Sequence, residues 1–408
     1  MSSQNLWFAR SRVATVFALF LFAGGALASA QTERALFVFN GASDGYSPHA
    51  GLVADSSGAL YGTTAWGGNT ASGDYGGVVF KLSPPAAPGS PWVESVLYKF
   101  QGGDFSRDGA NPYCTLVFDS AGNLYGTTED GGQYEAGTIF QLVPPAAPGG
   151  AWTENLLYSG QDAYYLTGLA IDGSGALYGA GFYGEVFQLV PPTEPGGAWT
   201  YNALADMGNM TGNLILDSKG NLYGTTQDSG RHNAGLVFAL KPPAAPGDPW
   251  TQVDLYSFTG GSDGKTPVSN LTLKGGVLYG TTQNGGSLNL GTVYSVTPPS
   301  APGSPWTEAV LYSFQRGSDG EGPVGGVAFG NKGVIYGTTS YGGSDNFGTV
   351  YSLTPPSAPG DSWIETTLHS FTGKGNDGDV PDGTLLLLHG AFFGTTAGGY
   401  GTLFEVSQ

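Results

Sequence analysis

The chain is short of the residues on which most direct readings of function rest. Among 408 residues there are one cysteine, four histidines, and 14 lysines and arginines against 32 aspartates and glutamates. A single thiol excludes an intramolecular disulfide framework, so the fold has to be held by its core. Cys114 lies in the apolar run Tyr113-Cys114-Thr115-Leu116-Val117-Phe118, where packing is its expected role. The scarcity of basic residues argues against nucleic acid, whose affinity comes largely from Lys and Arg meeting phosphates, and against anionic lipid surfaces. His49, His232, His369 and His389 are scattered without metal-ligand spacing. No phosphate loop, nucleophile elbow or zinc motif is present.

Long apolar runs are also missing beyond residue 30, so no later membrane span is expected. Before it, Arg10 and Arg12 precede the apolar run Val13 to Phe22, and Ala28-Ser29-Ala30 is a small-x-small cleavage signal. Residues 1–30 are therefore expected to be a signal peptide, and the protein to be exported to the periplasm or the medium. Residues 31–408 then carry 12 basic and 32 acidic groups, a formal charge of −20.

What is abundant is glycine (70) and proline (26), placed at fixed points among aromatic and β-branched residues. Fixed placement points to turn chemistry rather than disorder. The strand Leu-Tyr-Gly-Thr-Thr, or a close variant, recurs with its aromatic at Tyr61, Tyr125, Tyr178, Tyr223, Tyr279, Tyr336 and Phe393. Each copy is followed by a strand ending in an aromatic-x-aliphatic pair, such as Phe140/Leu142 or Tyr351/Leu353. A Pro-Pro-x-x-Pro-Gly-x-x-Trp linker comes next in six copies, with tryptophans at 92, 152, 199, 250, 306 and 363. The Trp opens a third strand, a Gly/Asp turn follows (usually Asp-Gly-x-x-Pro), and a weak fourth strand leads through Asp-x-x-Gly into the next copy. Asp55, Asp119, Asp172 and Asp217 head that second turn, where Asp can bond its own backbone.

Four strands per unit predict an all-β fold, a seven-bladed β-propeller of antiparallel blades occupying residues 31–408 as one domain. The chain ends predict closure. Leu36-Phe37-Val38-Phe39 matches Leu97-Tyr98-Lys99-Phe100, the strand after a Trp, and Thr402 to Val406 matches the strand before a Pro-rich linker. Head and tail complete one blade and leave no open sheet edge. The strand order resembles the kelch layout. More closely, Leu-Tyr-Gly-Thr-Thr, Gly-Gly and Gly-Thr-Val-Phe-x-Leu resemble the GloVer (Gloeo/Verruco) tandem repeat of secreted bacterial proteins, over residues 34 to 408. That resemblance implies a propeller and export, and contributes no catalytic residue.

Propeller topology puts the Asp-Gly-x-x-Pro turns and the long glycine loops on one face. There Asp44, Asp108, Asp263, Asp319 and Asp377 hold equivalent positions, either as a repeated turn or as an acidic ring able to hold a cation or a polyol. Calcium is a weak prospect: Asp104-Phe-Ser-Arg-Asp108 has two carboxylates and no EF-hand spacing, so no cofactor is expected. Trp66, Tyr75, Tyr134, Tyr183, Tyr341, Phe347 and Tyr400 lie in or beside the loops and suit stacking on sugars or a protein partner. Blades three and four lack the Asp-Gly-x-x-Pro turn, and the shortest loop is Ala180 to Gly184. A ligand groove is therefore expected near Tyr164, Tyr165 and Tyr183. The expected function is non-catalytic binding of a carbohydrate or protein by a monomer. The alternatives are a polysaccharide hydrolase or lyase using rim aspartates, and a structural role in the envelope.

Overall fold

The computed structural model describes residues 33–407, apart from 42, 69–75, 103–106, 148, 161–164, 195, 246, 302, 316 and 359. Each position of the repeated strand does something different, as Leu124–Thr128 shows. Leu124 is fully buried. Tyr125 donates its hydroxyl to Asp119 at 3.1 Å, and Asp119 also accepts the N–H groups of Ala121 and Asn123, fixing the preceding turn. Gly126 has to be glycine: a Cβ there would stand 2.5 Å from the Phe140 ring and 2.9 Å from Leu116. Thr127 donates to the carbonyl of Thr167 in the next unit at 2.7 Å. Thr128 meets the Thr138 hydroxyl at 2.8 Å and accepts the Thr138 N–H, pinning the hairpin.

These strands build seven four-stranded antiparallel blades. Blade one is Val53–Ala54, Leu60–Thr64, Val78–Ser83 and Val93–Lys99, from innermost to outermost. Blades two to six repeat that order, with outermost strands Thr153–Ser159, Thr200–Asp206, Thr251–Ser257, Thr307–Ser313 and Ile364–Ser370. The short innermost strands mark the axis, where Ala170–Ile171 lies against both Val117–Phe118 and Ile215–Leu216. Blade seven closes the ring as the chain ends predict: Leu386–Leu388, Ala391–Thr396 and Thr402–Ser407 are completed by Glu33–Val38. Phe37 stands opposite Leu403, and Glu33 opposite Val406.

The core is a set of wedges between blades. Tyr61, Val79 and Phe100 of blade one pack with Leu124, Phe140 and Leu142 of blade two. Each linker Trp leans back onto the preceding blade. Trp152 meets Tyr61 at 6.5 Å and Trp199 meets Tyr125 at 6.3 Å, and across the closure Trp92 meets Phe393 at 5.9 Å. Cys114 is buried, and its sulfur accepts the Thr127 N–H at 3.0 Å, a packing role as expected. No helix among the described residues is long and apolar enough to cross a membrane.

Candidate ligand-binding site at the axial mouth

Antiparallel pairing makes two kinds of connection emerge on one face: outermost to next innermost strand, and second to third strand. Short backbone bridges tie the two sets together, among them Tyr46 to Trp66, Ala110 to Asp130 and Lys265 to Asn284. At their centre, on the axis, lies a cavity of about 640 Å³.

The Asp-Gly-x-x-Pro turn aims residues into this cavity. The residue before the proline takes a positive φ in every copy: Ser47, Asn111, Thr266, Gly322 and Val380, between 54° and 63°. For the non-glycine residues this is a costly conformation, tolerated where surrounding structure enforces it. Each such residue donates its N–H to the neighbouring blade, as Thr266 does to Ala234 at 2.9 Å. The residue after the proline then faces the axis. Those residues are His49, Tyr113, Val268, Val324 and Asp382, and all five line the cavity. A second ring comes from the position after Thr-Thr, where Glu129, Gln227 and Gln283 also line it. Blades three and four, lacking the turn, contribute Tyr165, Leu166, Phe182 and Met210, so that quadrant is largely apolar and aromatic.

The polar groups are interlocked. His49 Nδ1 lies 3.1 Å from Asp382 Oδ2. The other oxygen of Asp382 accepts the Ser340 hydroxyl at 2.6 Å. The His49 ring packs on Tyr113 at 5.0 Å. Burial raises the Tyr113 phenol to about 12, the Glu129 charge adds to this, and a hydrogen bond with Trp66 opposes it. Burial also raises the Glu129 carboxyl; Asp130 raises it further and His49 pulls it back. Below the mouth, amides and hydroxyls link blades: Asn213 N–H donates to Asn270 at 2.7 Å, and Gly326 N–H to Thr384 at 2.9 Å.

Of the residues singled out from sequence, Tyr165 forms part of the cavity wall. Tyr183 is 59% exposed and packs on Tyr165 at 6.1 Å outside the cavity. Trp66 stands behind the wall, bonded to Tyr113. Tyr134, on a loop, and Tyr341, in the short strand Tyr341–Gly342 paired with Gly320–Glu321, are exposed and do not line the cavity. Tyr75 and Tyr164, and positions 103–106 of the calcium prospect, lie outside the described residues.

The five turn aspartates are not brought together around the mouth; none lines the cavity. Asp44, Asp108 and Asp319 are 5%, 8% and 9% exposed. Asp108, Asp263 and Asp319 each accept a tyrosine hydroxyl from the outermost strand before them (Tyr98, Tyr256, Tyr312), at 2.9 Å in each case. At least one oxygen of each carboxylate is engaged in shaping the turn that aims its neighbour. Behind each stands a glutamate of the next outermost strand. Glu94, Glu154, Glu308 and Glu365 are raised to about 7 by burial first, then by the charges of Asp44, Asp108, Asp263 and Asp319.

His49, Tyr113, Glu129, Gln227, Gln283 and Asp382 are the cavity residues that sequence reasoning missed. A signal was available: they fill the columns of the repeat that vary in chemistry, next to the columns that do not. A wider depression of about 800 Å³ lies on the opposite face, but its charged groups Asp55 and Lys81 are spent on each other at 3.7 Å.

The geometry defines a seven-bladed β-propeller with an open axial cavity on its loop-rich face. The sequence matches the Gloeobacter/Verrucomicrobia repeat over residues 25–188 and 180–404, and the chain belongs to that family. A search of curated proteins finds no match. Among solved structures, it is similar to a streptogramin B lyase at 12% identity and a TM-score of 0.56, covering 92% of this chain and 97% of that one. It is also similar to the Cps50 (Swd1) β-propeller domain of Myceliophteria thermophila, at 12% identity and a TM-score of 0.53, covering 92% and 100%. At these identities the likeness concerns the fold alone.

Proposed function

We propose that the protein is an exported carbohydrate-binding propeller that takes a polyhydroxylated ligand, a mono- or short oligosaccharide, into the axial cavity. The observation that carries this reading is the composition of the cavity. Planar hydrogen-bonding groups (Asp382, Glu129, Gln227, Gln283) line it together with the aromatic and apolar Tyr113, Tyr165, Phe182 and Met210. Side-chain carboxylates and amides can take paired sugar hydroxyls while aromatic faces take the C–H surface of the ring. A volume of about 640 Å³ suits a small molecule rather than a flat protein patch. Export rests on the character of residues 1–30. The test is glycan-array binding followed by calorimetry. Retention of one glycan class, weakened by Gln227→Ala and Tyr165→Ala with folding intact, supports the reading; no retained glycan at millimolar concentration overturns it.

A second reading has its own observation. The Asp382 contact engages His49 Nδ1, which leaves Nε2 as a base whose ring is oriented by a half-buried partner. Glu129, with its carboxyl raised, would serve as the complementary acid. This describes a lyase or hydrolase of an extracellular polysaccharide working from the axis rather than from the rim aspartates. Product release lost in His49→Ala while binding persists selects this reading; binding without turnover selects the first.

A further inference from the structure

The interface between blades six and seven departs from its counterparts. At three others a tyrosine of one outermost strand, a turn aspartate and a glutamate of the next outermost strand come together: Tyr98/Asp108/Glu154, Tyr256/Asp263/Glu308 and Tyr312/Asp319/Glu365. In the alignment of repeats His369 takes the tyrosine column, beside Asp377 and Glu33. Glu33 is the first residue of the strand that closes the ring.

This exchange alters the chemistry. A phenol at the tyrosine position keeps its proton and only donates to the aspartate. An imidazole presents a lone pair, and with two carboxylates beside it makes a mixed nitrogen–oxygen donor set. One ligand atom from each of His369, Asp377 and Glu33 lies within 4.8 Å of the others. His369 Nε2 is 2.6 Å from Asp377 Oδ1 and 4.0 Å from Glu33 Oε2.

Two features shape the two carboxylates of this set. The Glu33 side chain is only 10% exposed; its Oε2 faces His369, and its buried Oε1 has no hydrogen-bond partner among the described residues, as at the equivalent Glu94, Glu154 and Glu308. Asp377 is held in place through its other oxygen, Oδ2, which accepts the N–H and hydroxyl of Thr372 at 2.7 and 2.6 Å. Its Oδ1 faces His369 Nε2. A carboxylate oriented by such outer bonds is characteristic of metal ligands.

We propose that Glu33, His369 and Asp377 form a divalent-cation site of the zinc class, which clasps the closing strand to blade six. Tetrahedral zinc spaces its ligand atoms by about 3.3 Å. The 2.6 Å contact opens and the 4.0 Å contact closes by less than about 1 Å each to reach that, with water completing the shell. The ion joins the start of the closing strand, the outermost strand of blade six and the loop between them. It therefore stabilises the one blade whose strands come from both ends of the chain, a structural rather than catalytic role.

The test uses the whole chain, stripped with chelator and titrated with zinc by calorimetry, with thermal melts in parallel and calcium as the contrasting ion. The expected result is one equivalent of zinc and a higher melting temperature, with little response to calcium. His369→Tyr restores the arrangement of the other interfaces, so it should fold and melt cooperatively without responding to zinc. Glu33→Gln should weaken zinc binding by roughly tenfold or more. Absence of zinc binding in the unmodified chain overturns the proposal. So does an undiminished zinc response in folded His369→Tyr, which would place the ion elsewhere, for example at His49 and Asp382.

Discussion

His49 and Asp382 meet at 3.1 Å although 333 positions separate them in the chain. Both follow the proline of an Asp-Gly-x-x-Pro turn, in the blades on either side of the ring closure. The pair exists only because that closure makes the first and last turns neighbours. Asp382→Asn should keep the fold, since the Ser340 contact can persist. It should cost about 1–3 kcal/mol of ligand binding by removing a charged partner. Calorimetry on the glycan identified by array checks this; unchanged affinity would remove the pair from the site.

Closure also predicts where the fold is vulnerable. Phe39 is 1% exposed and packs on Phe80 at 5.2 Å, as Phe100 packs on Phe140 at 5.1 Å. Phe39→Ala should therefore destabilise the protein by about 3–5 kcal/mol, as much as Phe100→Ala. Urea unfolding compares the two. A near-neutral Phe39→Ala would mean that the first strand behaves as a frayed tail.

Each proline that aims a cavity residue sits on a glycine of the preceding blade. Gly291 has φ +98°, and a Cβ there would stand 2.5 Å from the ring of Pro323. Gly291→Ala should cost more than about 2 kcal/mol, combining backbone strain with a displaced proline. Gly303, at φ +85° with nothing near its missing Cβ, provides the contrast. Gly303→Ala should cost only about 1 kcal/mol of strain. Equal unfolding midpoints for the two variants would refute the seat.

Cys114 is replaceable. Its sulfur accepts the Thr127 N–H at 3.0 Å, and in blade five Ser269 Oγ accepts the Thr281 N–H at 2.9 Å from the equivalent position. Cys114→Ser should thus fold with a change below about 1 kcal/mol, measured by thermal melting. Loss of folding would show that the sulfur does more than fill that position.

Stability should fall as pH rises through neutrality. Glu94, Glu154, Glu308 and Glu365 hold their protons to about 7 when folded, against 4.5 for a free carboxyl. Facing them are Asp44 and Lys99, Asp108, Asp263 and Tyr256, and Asp319 respectively. Below about pH 4.5 both states are protonated and this contribution is fully present; it is lost as pH climbs through about 7. Asp55, Asp119, Asp172 and Asp217 act in the other direction. Burial would raise them, but turn and tyrosine hydrogen bonds outweigh it and hold them below 3.8. Their contribution is present above 3.8 and lost only as pH falls below it, outside the first window. The melting temperature should therefore peak near about pH 5 and decline by about pH 8. Glu154→Gln and Glu308→Gln should flatten the decline; an unchanged profile would reject these groups as its source.

The site was less legible than the scaffold. Asp44, Asp108, Asp263, Asp319 and Asp377 drew attention because they recur, yet a residue recurs when every blade needs it for the same turn. The residues five positions further on, from His49 to Asp382, differ from blade to blade because each meets a different part of the axial cavity. Tyr165 was found because blade three breaks the pattern. The grouping of His369 was not legible because, while Asp377 lies eight positions away, Glu33 comes from the other end of the chain.

The sequence by itself determined the blade, the number of blades and the joining of the two ends, because strand alternation, turn residues and the Gly–aromatic contact act over a few positions and repeat. Tertiary structure alone decided which side chains face the axis and which acids face each other between blades. Those neighbours come from different repeats. They meet only after the ring has closed and the positive-φ turns have set the direction of each side chain.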